Sequence, residues 1–130
     1  MKDLDAYFAY VDSLIRRSGA VQEAVRYKSV GQEMGYIRGY LIFADGSRLE
    51  FSEEVVCYRN KLHRTAYRYH YMRSGKTVFR YDTAPHHPHV ATFPYHKHDV
   101  QGRVLESPPV SLKEVLAEIA RLLEKDVPGR

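Results

Sequence analysis

Tryptophan is absent from the 130 residues, and cysteine occurs once, at Cys57. A single thiol can neither close a disulfide within the chain nor build a cysteine-based zinc site. Apolar runs are only a few residues long, so no segment reads as a bilayer span. The opening Met1-Lys2-Asp3-Leu4-Asp5 lacks the apolar stretch of a secretory signal. The expectation is a cytoplasmic protein with no membrane partner. A glycine-rich phosphate loop, a dinucleotide fingerprint and a Gly-x-Ser-x-Gly elbow are all missing. Acid is also missing locally: between Val55 and Tyr81 there is no Asp or Glu.

That acid-free stretch carries Arg59, Lys61, Arg64, Arg68, Arg73, Lys76 and Arg80, interleaved with Tyr58, Tyr67, Tyr69, Tyr71 and Tyr81. Cations meet phosphates and flat rings stack on bases, so the mixture suits a nucleic-acid surface. It equally suits a half-exposed sheet with Lys and Arg on its wet face. The whole chain has a formal net charge of +4, with 44% hydrophobic and 28% charged residues. Those proportions are ordinary for a globular protein, and the length fits one domain over residues 1–130.

Leu4, Phe8, Val11 and Ile15, with Tyr7 and Leu14 beside them, recur at helical spacing and predict a helix over 3–18. Asp3 or Asp5 can cap its start and Gly19 can end it. A β-rich block follows over about 20–83. At Asp45-Gly46, a three-residue loop with Gly46 at positive φ pairs Leu41 with Leu49 and Gly39 with Phe51. A two-residue loop would send the apolar residues to opposite faces. The same parity reasoning at Ser74-Gly75 favours an odd loop. That loop gathers Tyr67, Tyr69, Tyr71, Phe79 and Tyr81 on one face and Arg68, His70, Arg80 and Asp82 on the other. Residues 83–109 hold five of the six prolines and five of the seven histidines, and read as an ordered functional loop with a short strand near 100–106. Ser111 and Glu114 form a capping box for a last helix whose stripe is Leu112, Val115, Leu116, Ile119, Leu122 and Leu123. Lys125 ends it, and 126–130 read as a frayed tail. The sum is an α+β fold: N-terminal helix, antiparallel meander of about five strands, Pro/His-rich loop, and C-terminal helix packed on the ring-bearing sheet face.

The chemistry concentrates in Phe79-Arg80-Tyr81-Asp82-Thr83-Ala84-Pro85-His86-His87-Pro88-His89 and Phe93-Pro94-Tyr95-His96-Lys97-His98. Imidazole titrates near neutrality and so can take and give protons there. In a metal-free reading, two histidines act as base and acid on an RNA phosphodiester, whose nucleophile is the ribose 2′-OH. Catalysis then falls to His70, Arg80, Asp82, His86, His87, His96 and His98, with Asp82 orienting a histidine or an arginine fork. Arg68, Lys97 and Arg64 meet phosphate, and Tyr69 or Tyr95 stacks a base. No cofactor is needed. In a metal reading, His87, His89, His96 and His98 chelate an ion as two i, i+2 pairs, completed by Asp82 or Asp99 where needed. In a third reading, these histidines are surface-loop residues without chemistry. His63 reads as structural, Cys57 as packing, and Arg38 with Glu54 as a surface ion pair.

Gly35-Tyr36-Ile37-Arg38-Gly39, Asp45-Gly46-Ser47-Arg48-Leu49, Tyr67-Arg68-Tyr69-His70-Tyr71 and the two histidine segments together resemble the TumE-type family of small prokaryotic toxins. The resemblance spans roughly residues 5–120. The family pattern often has Asn at the place of Thr83 and a further His at the place of Tyr95. The resemblance implies a toxin encoded beside a helix-turn-helix antitoxin. It leaves the reaction open among RNA cleavage, metal-dependent phosphohydrolysis, and non-catalytic binding of RNA or protein. Whether the chain forms a homodimer also stays open.

Overall fold

The computed structural model describes residues 3–125, and the expected frayed tail lies outside them. Helix α1 spans Leu4–Arg16, and Asp3 caps it by accepting from the Ala6 amide at 2.8 Å. Such a cap stabilises a helix by about 1 kcal/mol. Seven strands follow in one antiparallel sheet, ordered as in the chain. They are β1 Gln22–Val30, β2 Met34–Ile42, β3 Arg48–Tyr58, β4 Lys61–Arg73, β5 Lys76–Asp82, β6 His96–His98 and β7 Val104–Glu106. Helix α2, Leu112–Lys125, starts at the capping box: the Ser111 amide donates to Glu114 Oε1 at 3.0 Å.

The α+β class stands, but the sheet has seven strands rather than about five. Two strands, β6 and β7, come from the proline-rich segment, and β7 falls within the short strand expected near 100–106. Each is only three residues long, short enough to fit between prolines and still pair: Asp82 with His96, then His96 with Glu106. The segment read as a loop therefore folds back and extends the sheet.

Both helices lie on one face. Val11, Leu14 and Ile15 of α1, and Leu112, Val115 and Ile119 of α2, share a core with Ile37, Leu41, Phe43, Leu49, Phe51, Tyr67, Tyr69, Tyr71, Phe79 and Tyr81. At Asp45-Gly46 the register is the expected one, Leu41 opposite Leu49 and Gly39 opposite Phe51, with Gly46 at φ 84°. At Ser74-Gly75 the rings do share a face, but by a different device. The turn has two residues, with Arg73 opposite Lys76 and both turn residues at positive φ. Tyr71 then pairs with Phe79 and Met72 with Thr77, so Val78 is an extra, bulged residue. The bulge shifts the parity that the two-residue turn would otherwise have set wrongly.

A second bulge changes which face Arg64 occupies. Glu54 pairs with Ala66 but Val55 with Arg64, so Thr65 is the additional residue. Arg64 consequently turns away from Arg68 and toward the helices.

Two glycines are needed for close approach. A Cβ on Gly35 would meet Leu4 and Phe8 of α1 at 2.9 Å, so α1 seats directly on bare backbone there. A Cβ on Gly39 would lie 2.4 Å from the Ala24 carbonyl oxygen and 2.8 Å from Val25 Cα. These are backbone atoms of β1 that no rotamer change can move. Gly39→Ala is therefore expected to lower unfolding stability by about 1–3 kcal/mol, read as a lower urea midpoint. An unchanged midpoint would mean that β1 does not lie against Gly39.

Candidate functional site

The register aligns the open face of the sheet into transverse rows. One runs Arg26, Arg38, Ser52, Arg68, Asp82, His96 and Glu106 from β1 to β7. Beside it, Glu50, His70, Arg80 and His98 are successive partners on β3 to β6. Six of the residues singled out for chemistry, Arg68, His70, Arg80, Asp82, His96 and His98, thus share one face, although they are far apart in sequence.

Asp82 is the centre. Only 4% of it is exposed. Its Oδ1 accepts from His96 Nε2 at 2.7 Å and from the Ala84 amide at 3.1 Å, and its Oδ2 accepts from Arg80 Nε at 2.9 Å. His96 is 2% exposed, and its Nδ1 lies 2.9 Å from the Pro94 carbonyl oxygen. The Pro94 carbonyl can only accept, so Nδ1 donates to it, and Nε2 faces the Asp82 carboxylate. It is a buried clip between β5 and the loop before β6.

His98 has the opposite character. Arg80 donates through Nη2 to His98 Nε2 at 2.9 Å, which requires a lone pair on that nitrogen. Burial, the Arg80 charge and the His96 charge push its pKa down to about 4, although Asp82 pulls the other way. His98 is neutral near neutral pH and steadies the Arg80 fork, which Asp82 holds from the other side.

His87, from the loop after β5, completes the group. Its ring lies 5.0 Å from that of His96, 5.4 Å from that of His98 and 5.8 Å from that of His89. Its pKa is lowered, by desolvation first and by the neighbouring imidazoles next. His87, His96 and His98 offer nitrogens within 4.8 Å of one another, which is the spacing of a metal site. The donor chemistry fits a cation poorly. Both ring nitrogens of His96 already face protein acceptors, and the lone pair of His98 Nε2 faces a guanidinium. With the Arg80 guanidinium beside the histidine group and Arg68 exposed on the same face, the site suits an anion.

The other expected residues divide. Arg68 is exposed on this face, and its one side-chain hydrogen bond among the described residues is to His70 Nδ1 at 3.5 Å. His70 faces the same side but reaches Thr77 Oγ1 at 2.6 Å rather than the histidine group, and burial with the nearby Arg68 and Arg80 charges lowers its pKa. His86 and His89 are exposed on the loop. Lys97 lies on the helix side, because the alternation that puts His96 and His98 together turns the residue between them away. It pairs with Glu118 of α2 at 3.2 Å and sits 4.8 Å from the centre of the Tyr81 ring. Tyr69 is 0% exposed, and its hydroxyl donates to Glu53 Oε2 at 2.6 Å, so it has no face to offer a base. Arg64 donates to the Tyr69 hydroxyl at 2.8 Å on the same helix side. Tyr95 stacks on Tyr67, with ring centres 6.2 Å apart.

Two contributors were not anticipated. Arg38 was expected to pair with Glu54, yet it lies opposite Ser52 while Glu54 lies opposite Tyr36 and accepts from Thr65. Arg38, Arg68 and Arg80 line one groove of about 660 Å³ on the open face. The Pro94 carbonyl that fixes His96 is a main-chain group, and no side-chain pattern announces it.

A sheet covered by helices on one side, with an arginine- and histidine-lined pocket on the other, defines a small basic α+β protein with a cationic open face. A family model described as Toxin TumE matches residues 11–125, and the chain belongs to this toxin family. No curated protein and no solved structure matches the chain. No described helix is long and apolar enough to cross a membrane.

The neutral state of His98 has a consequence for stability. Its folded pKa is about 4 against 6.5 for a free imidazole, so the unfolded chain takes up that proton first as pH falls. The stability it contributes is complete above about 6.5 and is lost as pH falls through about 4. The melting temperature is expected to decline across this window. His98→Gln, whose side-chain oxygen still accepts from Arg80, is expected to flatten part of the decline. An unaltered acid profile in the variant would assign the effect to other groups.

Proposed function

We propose that the toxin inhibits growth by cleaving RNA without a metal ion, and that a helix-turn-helix antitoxin neutralises it. The carrying observation is a held guanidinium beside an uncommitted imidazole. Arg80 is fixed from both sides by Asp82 and His98, while the His87 ring edges the same pocket with no hydrogen bond to a protein group among the described residues. A phosphodiester seated on Arg80 and Arg68 would have its negative charge met as it grows on phosphorus. His87, kept neutral by its lowered pKa, is the base that takes the 2′-OH proton. The 2′-oxygen attacks phosphorus, the bond to the 5′-oxygen breaks, and a cyclic phosphate forms. His89, exposed beside His87, is the acid that supplies a proton to the leaving 5′-oxygen. His96 and Asp82 are positioning residues: they set the pocket without touching the reacting atoms.

A divalent-metal phosphohydrolase is the second reading, favoured by the nitrogen spacing in the three-histidine group. It requires His96 to surrender one of two buried hydrogen bonds.

Purified protein incubated with a defined single-stranded RNA separates the readings. Cleavage is expected to persist in EDTA. His87→Ala is expected to lose roughly 10²–10⁴-fold in rate with an unchanged melting temperature. Lys97→Met, on the helix side, is expected to lower the melting temperature without weakening RNA binding. Activity abolished by EDTA and restored by zinc or manganese would favour the metal reading. Full activity in His87→Ala would overturn the assignment of the base.

A further inference from the structure

The row of aligned residues extends well beyond the pocket, and its far half is unusual. Arg26 of β1 stands directly opposite Arg38 of β2. Like charges facing each other across a strand pair are destabilising. Two strands further on, past Ser52, comes Arg68. Among the described residues none of these three guanidiniums has a carboxylate partner, whereas Arg16, Arg48, Arg80 and Arg103 all do. The acidic residues nearby are already engaged: Glu50 with Arg48, and Glu54 with Thr65. The sheet therefore keeps a line of uncompensated positive charge that costs it stability.

We infer that Arg26, Arg38 and Arg68 form a track for the backbone of single-stranded RNA, which crosses the sheet perpendicular to the strands and delivers one phosphodiester to the Arg80–His87 pocket. The inference rests on the RNA reading above and adds the substrate form and its path. At about 4.8 Å per strand, the row from Arg26 to Asp82 covers about 19 Å, room for several consecutive phosphates. A single strand is favoured over a duplex by the groove itself. Its volume of about 660 Å³ is that of a small-ligand cleft, and Thr83, Ala84 and Pro85 line it together with Arg68 and Arg80. Tyr36, 36% exposed, lines the same groove two residues before Arg38 and so on the same side of β2. Its ring is a stacking platform that only an unpaired base can use. An acidic peptide would satisfy the arginines but leave this ring without a role.

The probe is a fluorescent single-stranded 2′-O-methyl 12-mer, which lacks the nucleophile and cannot be cut. Its anisotropy is followed across a salt titration. The double variant Arg26→Gln/Arg38→Gln is expected to bind more weakly and to reduce the slope of log K against log salt by about 1.4, at about 0.7 for each phosphate no longer neutralised. Its melting temperature without RNA is expected to match or exceed that of the parent, because a repulsive pair has been removed. Tyr36→Ala is expected to weaken binding with no change in slope. An unchanged slope in the double variant would overturn the track. Equal affinity for a duplex of the same sequence would overturn the single-strand assignment. A poly-glutamate peptide that binds as tightly, with the same weakening in the variant, would reassign the row to an acidic protein partner. Cleavage of the matching ribo-oligonucleotide by the parent protein is scored separately. If the 12-mer binds as expected and the ribo-oligonucleotide stays intact, the cleavage reading falls while the track stands.

Discussion

The buried carboxylate of Asp82 holds this molecule's open face together. It gathers the Arg80 side chain from its own strand, the His96 ring from β6 and the Ala84 amide from the departing loop. A buried charge is tolerated only when its partners are close and its lone pairs are used, and removing one partner from such a set is typically costly, on the order of 3–5 kcal/mol. Here the arrangement has a further effect. Because Asp82 fixes Arg80 and His96 at once, it joins the proline-rich segment to the sheet and builds the anion pocket in the same step. Pro94 and His98 then divide the remaining work: the carbonyl fixes the His96 ring, and the neutral ring of His98 braces the guanidinium.

The two faces of the sheet use the same residue types for opposite ends. On the helix side, tyrosine hydroxyls are tied to the buried Glu53 and the half-buried Glu118. Tyr7 and Tyr69 donate to Glu53, and Tyr81 donates to Glu118. Burial and these neighbouring carboxylates raise the tyrosine pKa values, so the hydroxyls stay protonated donors. Lys97 is also held there. Burial disfavours its charge, but the Tyr81 and Glu118 contacts outweigh that and raise its pKa. On the open side, acids are few and arginines outnumber them along the central row. The abundance of tyrosine and of basic residues therefore has two separate causes, core anchoring and anion attraction, which composition merges into one signal.

Much of the framework was legible from local rules. Helical spacing with a capping box located both helices, and the Leu41–Leu49 and Gly39–Phe51 pairing followed from turn parity at Gly46. The gathering of Arg68, His70, Arg80 and Asp82 on one face was also foreseeable, since alternation is a property of any strand. Alternation failed where a residue is inserted. Thr65 swung Arg64 to the helix side, and Val78 corrected a turn one residue shorter than expected. Bulges leave little trace in composition, because any residue can occupy the extra position. The placement of Lys97 and Tyr69 away from the pocket also required β6 and the buried Glu53 network to be seen.

The sequence by itself determined which side chains each strand turns to the same side, because that depends only on neighbours two residues apart. It also determined where the helices begin, because caps act over a single turn. Tertiary structure alone decided that the histidine-rich segment returns to the edge of β5 and that Arg26, Arg38, Arg68 and Asp82 form one line. Those outcomes join residues as much as seventy positions apart, from Arg26 to His96, and depend on cumulative register across five strand pairs. A one-residue change in any of those pairings would shift every later residue in the row.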